Sequence, residues 1–131
     1  MNLQNHSTVF GGGVLVTSSN LTVTESEFIK NSAGKAGAAI KVLGGVAYVN
    51  ASKIANNYAN EYGAAFDITT QGPLSSEKTY VYVSASEIAN NTAERGAAFF
   101  LHELNEVFVS QTIMRNNTGT TNMSFSNLCN G

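Results

Sequence analysis

One three-part phrase recurs along the whole chain, and its spacing constrains the fold more than any single residue does. Its first part is Gly11-Gly12-Gly13-Val14, then Gly37-Ala38-Ala39-Ile40, Gly63-Ala64-Ala65-Phe66 and Gly96-Ala97-Ala98-Phe99, at intervals of 26, 26 and 33 residues. The second part is Leu21-Thr22-Val23, Ala47-Tyr48-Val49, Val81-Tyr82-Val83 and Val107-Phe108-Val109, at intervals of 26, 34 and 26. The third is Phe28-Ile29-Lys30-Asn31, Ile54-Ala55-Asn56-Asn57, Ile88-Ala89-Asn90-Asn91 and Met114-Arg115-Asn116-Asn117, with those same intervals. The one long interval marks an insertion over residues 69–79 that contains Pro73, the only proline.

Within each phrase apolar and variable positions alternate over three to six residues, bounded by Gly, Asn, Ser or Thr, which is the signature of a short half-buried strand. The repeat therefore predicts three short strands per unit, separated by turns. Such a unit cannot bury its own apolar face, but stacked copies pair each strand with its equivalent in the next and satisfy the backbone hydrogen bonds. The expected fold is all-β: a right-handed, single-stranded parallel β-helix, or solenoid, of about four coils of roughly 26 residues. An amphipathic helical repeat fails because the apolar period is two rather than three to four.

One domain is expected over residues 1–131, with coils at about 11–119 and with 1–10 and 120–131 as capping or subunit-contact segments. Inward columns are predicted for Val14/Ile40/Phe66/Phe99, Val16/Val42/Ile68/Leu101, Val23/Val49/Val83/Val109 and Phe28/Ile54/Ile88/Met114. Ala33, Ala59, Ala93 and Gly119 form a small-residue column at a tight corner. Asn31, Asn57, Asn91 and Asn117 share a turn, where asparagine tolerates left-handed backbone and its amide can bond the next coil, so a structural asparagine ladder is expected.

The Gly-Ala-Ala-Ile and Gly-Ala-Ala-Phe phrases, paired with Phe28-Ile29-Lys30-Asn31, resemble the GGA(I/L/V) and FxxN motifs of the chlamydial polymorphic outer-membrane-protein repeat. The resemblance covers about residues 11–119; the second glycine is Ala at 38, 64 and 97, and only the first FxxN keeps its Phe. In that family the repeats build a β-helix passenger displayed outside the cell and used in adhesion. The resemblance thus implies extracellular, cell-surface display; no membrane-anchoring barrel follows within these residues.

Charge and composition narrow the functional classes. Only 12% of residues are charged and the net charge is -2, so nothing forms a basic patch for nucleic acid. No apolar run approaches the roughly 20 residues needed to span a bilayer, and Met1 to Asn5 lack the features of a signal peptide, so a mature or excised segment of a longer chain is expected. Cys129 is the sole cysteine, so no internal disulfide forms and a multi-cysteine zinc site is excluded.

The carboxylate clusters of β-helix polysaccharide hydrolases and lyases are missing: Asp67 is the single aspartate, and its column holds Leu15, Lys41 and Phe100. Asp67 and His102 are assigned to separate environments, and no Ser lies on a Gly-x-Ser-x-Gly turn, so no catalytic triad is expected. His6 and His102 lack a third ligand nearby, and neither metal nor cofactor is expected. Glu27, Lys53 and Glu87 read as an outward charge ladder.

Six Asn-x-Ser/Thr sequons are present, at Asn5, Asn20, Asn50, Asn90, Asn116 and Asn122, where the composition predicts about three by chance. Asn90 and Asn116 are the first candidates for N-glycosylation because they fall in one outward column, with Asn20 and Asn50 next. Tyr48, Tyr82 and Phe108 form an outward aromatic column that, with the loop around Pro73, is the candidate surface for a glycan or protein partner. Uncapped coil ends imply either a longer solenoid or subunits stacked end to end. The expected function is a non-enzymatic extracellular structural protein, a glycosylated β-helix subunit forming a filament or fibril. The alternative is a surface adhesin module, and a carbohydrate-active enzyme ranks third.

Overall fold

The structure, a computed structural model, describes residues 2–4, 7–10, 12–69, 78–102 and 105–119. The first coil carries β1 (Asn2–Gln4), β2 (Ser7–Phe10) and β3 (Val14–Thr24), and the second β4 (Glu27–Ile29), β5 (Ser32–Ala36) and β6 (Ile40–Asn50). The third carries β7 (Lys53–Ala55), β8 (Tyr58–Ala59), β9 (Phe66–Thr69) and β10 (Tyr80–Ser84). The fourth carries β11 (Glu87–Ala89), β12 (Thr92–Ala93), β13 (Phe99–Leu101) and β14 (Glu106–Ser110), and β15 (Ile113–Arg115) and β16 (Thr118–Gly119) open another turn.

Every pairing between these strands is parallel and joins equivalent positions of successive coils. They build three sheets: β1-β4-β7-β11-β15, β2-β5-β8-β12-β16, and a third in which β3 and β6 are followed side by side by β9 and β10, then β13 and β14. The chain is a parallel β-solenoid of about four turns, and among the described residues there is no helix.

Strand alternation turns every second residue inward, so like packs on like along the axis. Ile40, Phe66 and Phe99 are in register and fully buried, the two phenylalanine rings stacking at 4.9 Å and 11°. Phe28, Ile54 and Ile88 form a second buried column, and Val23, Val49, Val83 and Val109 a third. Ala33, Ala38, Ala59, Ala64 and Ala93 make a separate small-residue core at the narrow side, where no larger side chain has room.

Each corner combines a left-handed residue with a repeated contact. Gly37, Gly63 and Gly96 have φ of +70°, +56° and +59°, and a Cβ on Gly37 would stand 2.6 Å from the Cβ of Lys41, so both conformation and close approach require glycine there. At the asparagine corner the left-handed residues are Lys30, Asn56, Asn90 and Asn116, one position before the ladder. This differs from the sequence reading, which gave that conformation to the ladder asparagines themselves.

The ladder amides are buried. Asn57 Oδ1 accepts from both the backbone N–H and Nδ2 of Asn31, and Asn57 Nδ2 donates to Asn91 Oδ1 and to the carbonyl of Phe28. Asn91 repeats this with Asn117 and Ile54. A second ladder stands at the corner between Thr24 and Glu27 and its equivalents, and it was not anticipated. Ser52, Ser86 and Thr112 hydroxyls accept the backbone N–H of Ser26, Ser52 and Ser86, and each donates to the carbonyl two residues earlier.

The strands also divide differently from the expectation. In the first two coils the first and second parts of the phrase fuse into the eleven-residue strands β3 and β6, bent by positive φ at Ser18 and Gly44, where the pairing skips one position and resumes at Ser19 and Gly45. The sheet β2-β5-β8-β12-β16 is instead built from Ser32–Ala36 and its equivalents, which shrink to two residues in β8, β12 and β16. A strand that short leaves only one inward alanine as its signal.

Candidate functional site

The best-ordered outward feature is the aromatic column. Tyr48, Tyr82 and Phe108 each lie between two buried residues of β6, β10 and β14 and stand 38–48% exposed. Tyr48 and Tyr82 are 5.2 Å apart at 10°, and Tyr82 and Phe108 5.0 Å apart at 11°. Parallel rings at that separation are offset-stacked, so their faces cover one another and mainly edges meet solvent. A sugar stacking on an aromatic needs a free face, and inside this column the faces are taken. A shallow depression of about 400 Å³ lies alongside, between the rings of Tyr82 and Phe108 and the hydroxyls of Ser84 and Ser110.

A second, more open groove of about 630 Å³ follows the serine corner and is bordered by Glu25, Glu27, Lys53, Glu87, Gln111 and Ile113. Glu27, Lys53 and Glu87 do share one column, which ends on exposed Ile113. The ion pair of Glu87, however, runs to Arg115 in the neighbouring column at 2.6 Å, so the alternating-sign ladder is only partly realised.

Four sequon asparagines fall on described residues and all are exposed: Asn20 on β3, Asn50 at the end of β6, and Asn90 and Asn116 at the asparagine corner. Asn90 and Asn116 occupy successive rungs, Asn90 N–H bonding the carbonyl of Arg115, which puts the two side chains about one strand spacing apart, near 4.8 Å. Asn50 Oδ1 accepts from Ser84 Oγ, while Ser52, the hydroxyl residue of that sequon, is buried and donates to the Asn50 carbonyl. Asn5, Asn122, Pro73, His6 and Cys129 lie outside the described residues.

One cluster escaped the sequence reading. Asp67 is an outward residue of β9, yet its side chain is fully buried. Lys41 Nζ of the coil below contacts Asp67 Oδ2, and His102 Nε2 stands 3.0 Å from Asp67 Oδ1. The separate environments assigned to Asp67 and His102 are therefore incorrect. His102 N–H bonds the carbonyl of Ile68, which sets the imidazole one coil above and beside Asp67. The sequence held one usable signal, the succession Lys41, Asp67, Phe100 in a single column, but His102 stands two positions beyond the residue in register with Asp67 and reaches it diagonally. Tyr62 and Phe100 pack at 4.6 Å and Phe100 and His102 at 4.6 Å, walling the cluster with rings. Among the described residues no group of three or more His, Cys, Asp and Glu is placed to hold a metal ion.

Compared with known proteins, the chain matches no family model, no curated protein sequence and no solved structure.

Proposed function

We propose that the chain is a non-enzymatic extracellular structural protein, a solenoid unit that stacks end to end into a filament and carries N-glycans on its corners. The observation that carries this reading is the state of the two end rungs. Interior members of the apolar columns are buried completely, but Leu3, Val14 and Leu21 at one end and Leu101 and Met114 at the other are only partly covered. Among the described strands, β1, β2 and β3 pair on one side only, as do β13, β14, β15 and β16. Open edges of parallel strands over an apolar cross-section favour one more coil of like chemistry, which a second copy supplies.

Surface display draws its support from the four exposed sequons and from the likeness of the repeat to the chlamydial polymorphic outer-membrane proteins. The adhesin alternative rests on the depression beside Tyr82 and Phe108; it has the weaker support because the stacked rings offer edges rather than faces. Electron microscopy of the protein from its native source tests the proposal. Fibres with an axial repeat near 20 Å, about four rungs at strand spacing, are expected. Discrete particles at high protein concentration would overturn the filament reading.

A further inference from the structure

The buried Lys41–Asp67–His102 cluster has a use that neither stacking nor glycan display absorbs. Outward carboxylates of a solenoid are ordinarily hydrated, whereas here Asp67 is 0% and Lys41 only 12% exposed. Phe100 lies in register directly above Asp67, and Tyr62 packs on Phe100. The turns close in from the side: a Cβ on Gly63 would stand 2.9 Å from the Asp67 Cα, just as one on Gly37 would strike Lys41. An amine and a carboxyl group are thus held in contact, shielded from water, with an imidazole on the second carboxyl oxygen.

We infer that Lys41 and Asp67 form an intramolecular isopeptide bond that covalently joins the second coil to the third. Proton transfer from Lys41 Nζ to Asp67 Oδ2 generates a neutral amine and acid. The nitrogen lone pair then attacks Asp67 Cγ, and negative charge develops on Oδ1, where His102 Nε2–H donates a hydrogen bond. Collapse of the tetrahedral intermediate breaks the Cγ–Oδ2 bond. The nitrogen keeps one proton in the amide; Oδ2 leaves as water with the proton first transferred to it and a second one, which His102 gives from Nε2 and recovers from the nitrogen. No oxidant, metal or other co-reactant is consumed. Contact geometry held by two packed coils supplies the proximity that makes the condensation feasible.

The position has a mechanical logic. The long sheet is continuous through β6 but interrupted in the third coil, where β9 ends at Thr69 and β10 begins at Tyr80. A bond from β6 to β9 fastens the coil at that interruption. The inference is independent of whether the solenoid stacks.

Mass spectrometry of the full chain, expressed in a bacterial cytosol without glycosylation, tests it. The intact protein is expected to be lighter than its sequence by one water, and trypsin should fail after Lys41 and release peptides 36–53 and 54–78 as one branched species. Lys41→Arg, which keeps the charge and the stem, should restore the mass calculated from its sequence while retaining the β-sheet circular dichroism spectrum. His102→Ala should slow cross-linking, followed by the rise of the species lighter by one water with time after synthesis, while leaving the same branched product as the endpoint. A wild-type protein of unreduced mass, cleaved after Lys41 once denatured, would overturn the inference and leave a plain buried ion pair. Fragmentation that assigns a water loss to any other residue would overturn it as well.

Discussion

A single asparagine at the corner does the work of several backbone groups. Asn57 Oδ1 is a double acceptor and its Nδ2 a double donor, all within a site that is 1% exposed. Replacing it with Ala leaves the N–H of Asn31 and the carbonyl of Phe28 short of partners. At about 1 kcal/mol per bond plus the cost of unsatisfied buried groups, Asn57→Ala should destabilise the fold by roughly 3 kcal/mol in denaturant unfolding. Asn57→Asp is the sharper comparison. A carboxylate still accepts from Asn31 but cannot donate, and it would face the Phe28 carbonyl and Asn91 Oδ1, so it should rescue nothing. The column itself was legible in the sequence because the phrase ends on Asn in every coil. The conformation was not: the left-handed position falls one residue earlier, on Lys30 and Asn56 among others, and those side chains follow no common chemistry.

Among the elements, legibility followed the size of the inward side chain. Columns of Phe, Ile and Val announced β4, β6, β9 and their equivalents, whereas β8 and β12 bury only Ala, β16 turns only a half-covered Gly119 inward, and all three read as corners. The Asp67 cluster was obscured for a different reason: it draws on three coils and on two columns, because Phe100 is the residue in register with Asp67 while His102 reaches it diagonally. Fusion of the first two phrase parts into β6 depends on Gly44 and Gly45, which bend the strand between two segments, residues 40–43 and 46–50, that pair on both sides. Their roles differ. The residue equivalent to Gly44 in the coil below is Ser18, which itself sustains φ of +47°, so a side chain is compatible with that conformation. Gly45 has φ of +98°, and a Cβ there would stand 2.0 Å from the Ser19 carbonyl oxygen, a contact relieved only by moving two rungs apart. Gly45→Ala should therefore cost about 2–4 kcal/mol and Gly44→Ala about 1 kcal/mol, the order being readable from thermal midpoints of the two variants.

At the scale of the whole molecule, a solenoid separates the stability of a coil from the chemistry of its ends, because each coil touches only its neighbours. The Phe28–Ile54–Ile88 column shows the separation. Its interior members are 0% exposed, while Met114, the next rung, is only partly covered. Ile88→Glu would bury a charge between two rungs and should unfold the protein. Met114→Glu faces a rung that nothing described covers, so the carboxylate can reach water in the separate subunit, and the thermal midpoint should move by only a few degrees. In a stacked filament the same carboxylate would lie against the apolar cross-section of the next copy. A buried unpaired charge costs about 3 kcal/mol or more, which weakens each junction by over roughly 100-fold. Sedimentation velocity of wild-type and Met114→Glu protein at matched concentrations should then show long assemblies collapsing to single subunits with an unchanged circular dichroism spectrum. Assemblies of equal length in both would mean that the subunits do not join through this end.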